Sequence, residues 1–199
     1  MTFNHDIHHR RSIRLRDYDY SQAGAYFVTI CTSNRECLFG NIHDNAITLN
    51  DAGRMIEAWW KKLAHKFPTI DRDASVVMPN HFHGIVAIVG AAPCGRPVSE
   101  RICPASGHTS PASDHIPQGH PHGGAPTLGD IIDWFKTMTT NAYIRGVNQC
   151  RWQPFPGKLW QRNYFEHIIR DENDLNSIRE YIITNPARWA DDEENPDKQ

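Results

Sequence analysis

The stretch "VVMPNHFHGIVAIV", Val76 to Val89, holds two apolar runs separated by Pro79-Asn80. Both runs are rich in β-branched residues and Pro-Asn is a turn pair, so two strands joined by a tight turn are predicted. His81 and His83 stand one residue apart at the mouth of the second strand. In a strand, residues i and i+2 share a face. Both imidazoles therefore leave one side of the sheet, with Ile85 and Ala87 further along it, while Phe82 points to the other.

Upstream, "GAYFVTICT" (Gly24 to Thr32) has the composition of a buried strand, and "NAITLN" (Asn45 to Asn50) that of a short one. "NDAGRMIEAWWKKLAHKF" is predicted as a helix. Asn50 or Asp51 caps it, and Met55, Ile56, Trp59, Trp60 and Leu63 recur at helical spacing. Downstream, residues 90–126 are crowded with Pro, Gly, Ser and His and lack an apolar period, so they are expected to form an insertion loop. Its histidines, His108, His115, His120 and His122, fit no zinc spacing.

Order resumes at "TLGDIIDWFKTMTTNAYIRG", where Thr127 and Asp130 have the spacing of a capping box and Leu128, Ile131, Ile132, Phe135, Met138 and Ile144 mark one apolar face. "NYFEHIIR" is predicted as a strand. "DENDLNSIREYIITN" is a last helix, opened by Asp171 or Asn173 and ended by Asn185-Pro186. The order β-α-β-β-α-β predicts the α+β class: a ferredoxin-like antiparallel sheet with helices on one face. One domain is expected over residues 1–190, with a basic arm at 1–20 and an acidic tail at 191–199.

Composition narrows the setting. The chain has 199 residues, of which 39% are hydrophobic and 22% charged, enough for a globular core. No apolar run reaches membrane-span length, and the N-terminus lacks a signal-type apolar segment, so a soluble cytoplasmic protein with no membrane partner is expected. The five cysteines are odd in number and contain no Cys-x-x-Cys pair, which argues for free thiols. Net charge is −2; the acids from Asp191 to Asp197, less Lys198, contribute −4, leaving +2 for the rest. Arg10, Arg11, Arg14 and Arg16 form a basic cluster of the kind that contacts phosphates, or that is simply solvated.

The histidine pair offers two neutral imidazoles side by side, half of a metal site. Taken alone the pair is a weak signal, and two polar side chains at a strand end are the commoner reading. On the last helix, Tyr181 and Asn185 are four apart and share a face, beside an apolar stripe of Leu175, Ile178 and Ile182. Tyr181 stands at the margin of that stripe, and the Asn185 amide oxygen is a hard ligand for a divalent ion. Tyr164 is a competing phenol, but helical placement and the partner at Asn185 favour Tyr181. Trp160 and Arg162 are candidate contacts for unpaired bases, with Trp160 as a core residue the alternative. Lys136 is a further cation that projects to solvent or to a ligand.

"MPNHFH" on a strand and "YIITNP" on a C-terminal helix together resemble the IS200-like, HUH-type tyrosine transposases, in particular the REP-associated tyrosine transposase subgroup. "RRSIRL", "GAYFVTICT", "GKLWQRNYFEHIIRDENDL" and "NPARW" extend the resemblance over most of the chain outside the insertion and the acidic tail. The resemblance implies a single-stranded DNA endonuclease and strand transferase on a ferredoxin-like fold. It implies that His81 and His83 bind Mg²⁺ or Mn²⁺, that Tyr181 is the nucleophile, and that Asn185 stands where the family often has Gln. A 5′-phosphotyrosine intermediate on single-stranded or hairpin DNA follows. Insertion-sequence members tend to be dimers that exchange tyrosine helices, and REP-associated ones are expected to act as monomers, so monomer or homodimer stays open. Two other readings stand beside it: a domesticated DNA-binding protein without cleavage, and an unrelated metallohydrolase, which needs a carboxylate near the histidines that the sequence does not point out.

Overall fold

β1 (Gly24–Cys31) lies inside a four-stranded sheet with β4 (Ile70–Val77), β5 (His81–Ile88) and β6 (Phe165–Ile169), in the order β4-β5-β1-β6. Every pairing in it is antiparallel. Numbered among themselves, these strands run second-third-first-fourth, the ferredoxin-like order that β-α-β-β-α-β predicts. The structure, a computed structural model, describes residues 19–20, 22–89 and 126–198. The arm with Arg10, Arg11 and Arg14, and the histidines of the predicted insertion, lie outside the described residues.

The helices form where the sequence places them. α1 (Asp51–Lys66) is capped by the Asn50 side chain, which accepts from the Gly53 N–H at 2.9 Å. α2 (Leu128–Cys150) opens on a complete capping box between Thr127 and Asp130. α3 (Glu172–Thr184) is capped by Asp171, not Asn173. The backbone does not stop at Asn185-Pro186. It continues as a 3-10 helix over Asn185–Asp191, because proline is tolerated in a first helical turn, where its N–H has no partner to lose.

Two strands differ from expectation. "GNIH" forms β2 (Gly40–His43), which pairs with β3 (Ala46–Leu49) in a separate hairpin. Four residues are too few to show a period, and the hairpin is closed by Asp44 and Asn45, both left-handed at φ 50° and 60°. β4 begins at Ile70, earlier than "DASVVM", and a bulge between Arg72 and Ser75 breaks the alternation that would have shown it.

The crossover helices α1 and α2 cover one face of the sheet. There Tyr26, Val28, Ile30, Phe82 and Val86 pack with Ile56, Trp60 and Phe135 in the main core. Trp60 lies 4.7 Å from the Phe82 ring, and a Cβ on Gly84 would come within 2.7 Å of it, so only glycine lets β5 approach α1 this closely. α3, which follows the ferredoxin pattern, adds a layer on the opposite face. Phe27, Ile85 and Ile182 form a small second core there, flanked by Leu175 and Ile178.

Candidate metal and tyrosine site

The alternation of β5 turns His81, His83 and Ile85 toward α3 while Phe82 and Val86 enter the main core. The two imidazole centroids are 4.5 Å apart. Each ring is held by its Nδ1. His83 Nδ1 meets Thr29 Oγ1 at 2.8 Å across the β1 pairing. His81 Nδ1 meets Asn80 Oδ1 at 2.9 Å. The Asn80 amide nitrogen donates to the carbonyls of Arg35 and Glu194, so its oxygen can only accept from His81. His81 therefore carries its proton on Nδ1 and presents a bare Nε2 lone pair, the state a metal ligand requires. Asn80, in the sequence a turn residue, is a positioning residue for His81.

Nε2 of both histidines and Oδ1 of Asn185 are buried with no hydrogen-bond partner among the described residues. Three such unpartnered polar atoms in one place are costly, and a bound cation would satisfy the lone pairs of His81 and Asn185. Burial holds His81 down at about 4 against an opposing pull from Asp192, and it holds His83 well below the ordinary histidine range, with His81 adding to the effect. Both are thus neutral at pH 7, as ligands must be.

A third candidate ligand comes from the acidic stretch. After Pro186 the 3-10 helix turns the chain back over the sheet, and Asp192, with its side chain 8% exposed, lies 3.8 Å from His81 Nε2. Ligand atoms of His81, His83 and Asp192 all fall within 4.8 Å of one another. The acidic stretch is thus not a detached tail. The Glu194 carbonyl accepts from Asn80, its carboxylate pairs with Arg35 at 3.1 Å, and Asn195 is buried. A run of acids carries no sequence signal that one of them returns to a histidine pair, and only the hairpin-like reversal after "NPARW" reveals it.

Tyr181 stands at the edge of this cluster. Its ring centroid is 5.3 Å from that of His83 and 5.9 Å from that of Phe27, and it is 38% exposed. Burial first, then Asp192, raises its pKa, and the adjoining Asn185 amide works the other way. The phenolate is thus disfavoured in this setting. Together with Thr29, Asn185, Arg188 and Phe165, Tyr181 lines a cleft of about 570 Å³. Tyr164 packs against the main core instead, on the far side of the sheet from the histidines.

The remaining residues expected at DNA lie elsewhere. Lys136, Trp160 and Arg162 do meet, along a groove of about 540 Å³ that shares no lining residue with the tyrosine cleft. Lys136 Nζ donates to the carbonyls of Gln161 at 2.6 Å and Arg162 at 3.0 Å, tying that loop to α2. Trp160 is a core residue, 4% exposed, with its indole N–H on Thr139 Oγ1 at 2.9 Å, so its ring is not open to a stacking base. Arg162 is exposed. Cys31, Cys37 and Cys150 are free thiols, and burial with Glu194 nearby pushes Cys31 up to about 12. Among the described residues no helix is long and apolar enough to cross a membrane.

No family model matches the chain. A Haemophilus influenzae protein described as "Uncharacterized protein" is 39% identical over 193 residues, which span 96% of each chain. A second protein of that organism, described as "Putative REP-associated tyrosine transposase", is 22% identical over 173 residues, or 85% of this chain and 74% of the other. Among solved structures, a REP-associated tyrosine transposase bound to a REP hairpin superposes with a TM-score of 0.51 at 19% identity, covering 89% of this chain and 74% of that one. The sheet order and helix placement agree with that fold. The chain therefore belongs to one family with the 39% identical Haemophilus influenzae protein, and it is a distant relative of the REP-associated tyrosine transposases.

Proposed function

We propose that the chain is a metal-dependent nuclease and strand transferase that acts on single-stranded or hairpin DNA through Tyr181. The observation that carries this reading is the placement of a half-buried tyrosine beside buried acceptors of His81, His83 and Asn185 that lack partners, with Asp192 completing the donor set. Two imidazoles, a carboxylate and an amide suit Mn²⁺; Mg²⁺ is the harder alternative that prefers oxygen donors. A divalent ion held there supplies Lewis-acid chemistry, withdrawing charge from a non-bridging phosphate oxygen.

The chain's own residues do the rest. Asn80 and Thr29 hold the two imidazoles in their ligand orientation. Phe27 packs against both His83 and Tyr181 and sets their separation. Tyr181 Oη attacks phosphorus, forming a phosphotyrosine on the 5′ side and releasing a 3′-hydroxyl that takes up a proton. A second 3′-hydroxyl then attacks that link, restoring a phosphodiester and the phenol, with no need for ATP.

A second reading has one observation in its favour. Asp192 supplies the carboxylate that a metallohydrolase needs, and such an enzyme would use water in place of Tyr181. Labelled hairpin DNA with Mn²⁺, resolved on a denaturing gel, separates the possibilities. A protein–DNA adduct that vanishes in Tyr181→Phe is the expected result. Cleavage that survives Tyr181→Phe supports the hydrolase, and binding with no cleavage at all supports a DNA-binding protein without the chemistry.

A further inference from the structure

Phe165 opens β6, the edge strand of the sheet, and is 52% exposed. A lone exposed hydrophobic residue needs no explanation, but this one continues an aromatic group. Its ring centroid is 6.3 Å from that of Phe27, and Phe27 in turn touches both His83 and Tyr181. The register places it with care. Phe165 pairs with Thr29, and Thr29 pairs with His83, so the three form one row across the sheet on the face toward α3. Neighbouring strands are roughly 4.8 Å apart, which puts the Phe165 backbone about 10 Å from that of His83. That is about the reach of one nucleotide from a phosphate at the histidines.

Charge in the same cleft singles out one residue for a phosphate. Its acidic lining, from Asp191 to Glu194, repels a phosphate, and Arg188 is the one cation among the described lining residues. Arg188 is exposed and has no ion-pair partner among the described residues. A phosphate entering this cleft therefore has a single favourable side chain to meet apart from the metal ligands.

Resting on the nuclease reading above, we propose that Phe165 and Arg188 form a subsite for the unpaired nucleotide that flanks the scissile phosphate. Phe165 stacks on its base, and Arg188 binds its backbone phosphate. Stacking on a phenyl ring tolerates any base, so the subsite positions the strand without reading its sequence.

The test measures binding of labelled oligo(dT) of about 12 nucleotides in Mn²⁺, on a Tyr181→Phe parent that cannot be consumed by covalent capture. Phe165→Ala and Phe165→Leu should each weaken binding by roughly 10-fold, while Phe165→Trp keeps or improves it. An abasic oligomer of the same length should bind the parent and Phe165→Ala alike. Arg188→Ala should lower the slope of log affinity against log salt by about 0.7. Parent affinity in Phe165→Ala, an abasic oligomer that still discriminates, or an unchanged salt slope in Arg188→Ala would each overturn the subsite while leaving the nuclease reading in place. Failure of the parent to bind either oligo(dT) or hairpin DNA, with no adduct formed by the wild type, would overturn both. Melting temperatures of the variants show that each is folded.

Discussion

The two faces of the sheet are built on different terms. Toward α1 and α2, the sheet meets a continuous aromatic and aliphatic core in which Trp60, Phe82, Phe135 and Trp160 interlock. Among its polar groups, the Trp160 indole finds Thr139 and the Tyr143 hydroxyl finds the Gln153 carbonyl, while the Trp60 and Trp152 indole N–H groups are left without a partner among the described residues. Toward α3, among the described residues, Phe27, Ile85 and Ile182 form a buried apolar cluster, and buried polar atoms of His81, His83 and Asn185 are left without a hydrogen-bond partner beside it. One face holds the fold together, and the other gathers buried polar atoms without partners, an arrangement that costs stability. Stability surrendered at a site is the usual mark of a binding or catalytic role.

The comparison breaks most visibly at Tyr181. Tyr181→Phe should reduce adduct formation with Mn²⁺ and hairpin DNA by more than ~1000-fold, because Tyr181 is the phenol that lines the cleft beside His83 among the described residues. Its melting temperature should stay close to that of wild type, since the residue is 38% exposed and its ring is retained. A change on the other face should do the reverse. Phe82→Ala removes a fully buried ring and should cost about 3–5 kcal/mol in urea unfolding, while any folded fraction keeps its metal affinity.

The His81, His83 and Asp192 group can be measured next. Asp192→Asn should weaken Mn²⁺ binding by at least about 10-fold in calorimetry, with the metal-free protein as stable as wild type. An unchanged Mn²⁺ affinity would remove Asp192 from the ligand set. pH gives an independent handle. His81 sits at about 4 in the fold against an ordinary 6.5. The neutral form is the one the fold favours, so this contribution is fully present above about pH 6.5. It is lost as pH falls toward 4, where the unfolded chain binds the proton first. Melting temperature of the metal-free protein should therefore decline across that window, and Mn²⁺ at pH 6 should restore part of it. The smallest expected effect is Thr127→Ala, which dissolves the capping box of α2 and should cost about 1 kcal/mol in urea unfolding without touching the site.

Much of this was legible in one dimension. Alternation in "HFHGIVAI" assigns His81 and His83 to one face and Phe82 to the other because a strand has a period of two. The caps at Asn50, Thr127 and Asp171 are local, set by side chains that reach backbone three residues away. The spacing of Tyr181 and Asn185 places them together for the same reason. The β2 strand and the start of β4 were not legible, because one is too short for a period and the other is interrupted by a bulge.

What the tertiary structure alone decided concerns residues brought together from distant parts of the chain. Asp192 reaches His81, Glu194 reaches Asn80, and Phe165 falls in register with His83 through Thr29. In the sequence these are an acidic tail, a turn and an edge-strand phenylalanine. Trp160 moved in the opposite direction, from a candidate DNA contact to the core. Local spacing encodes which face a side chain takes, since that depends on backbone period alone. It does not encode which face meets which segment, since that depends on where the whole chain turns back.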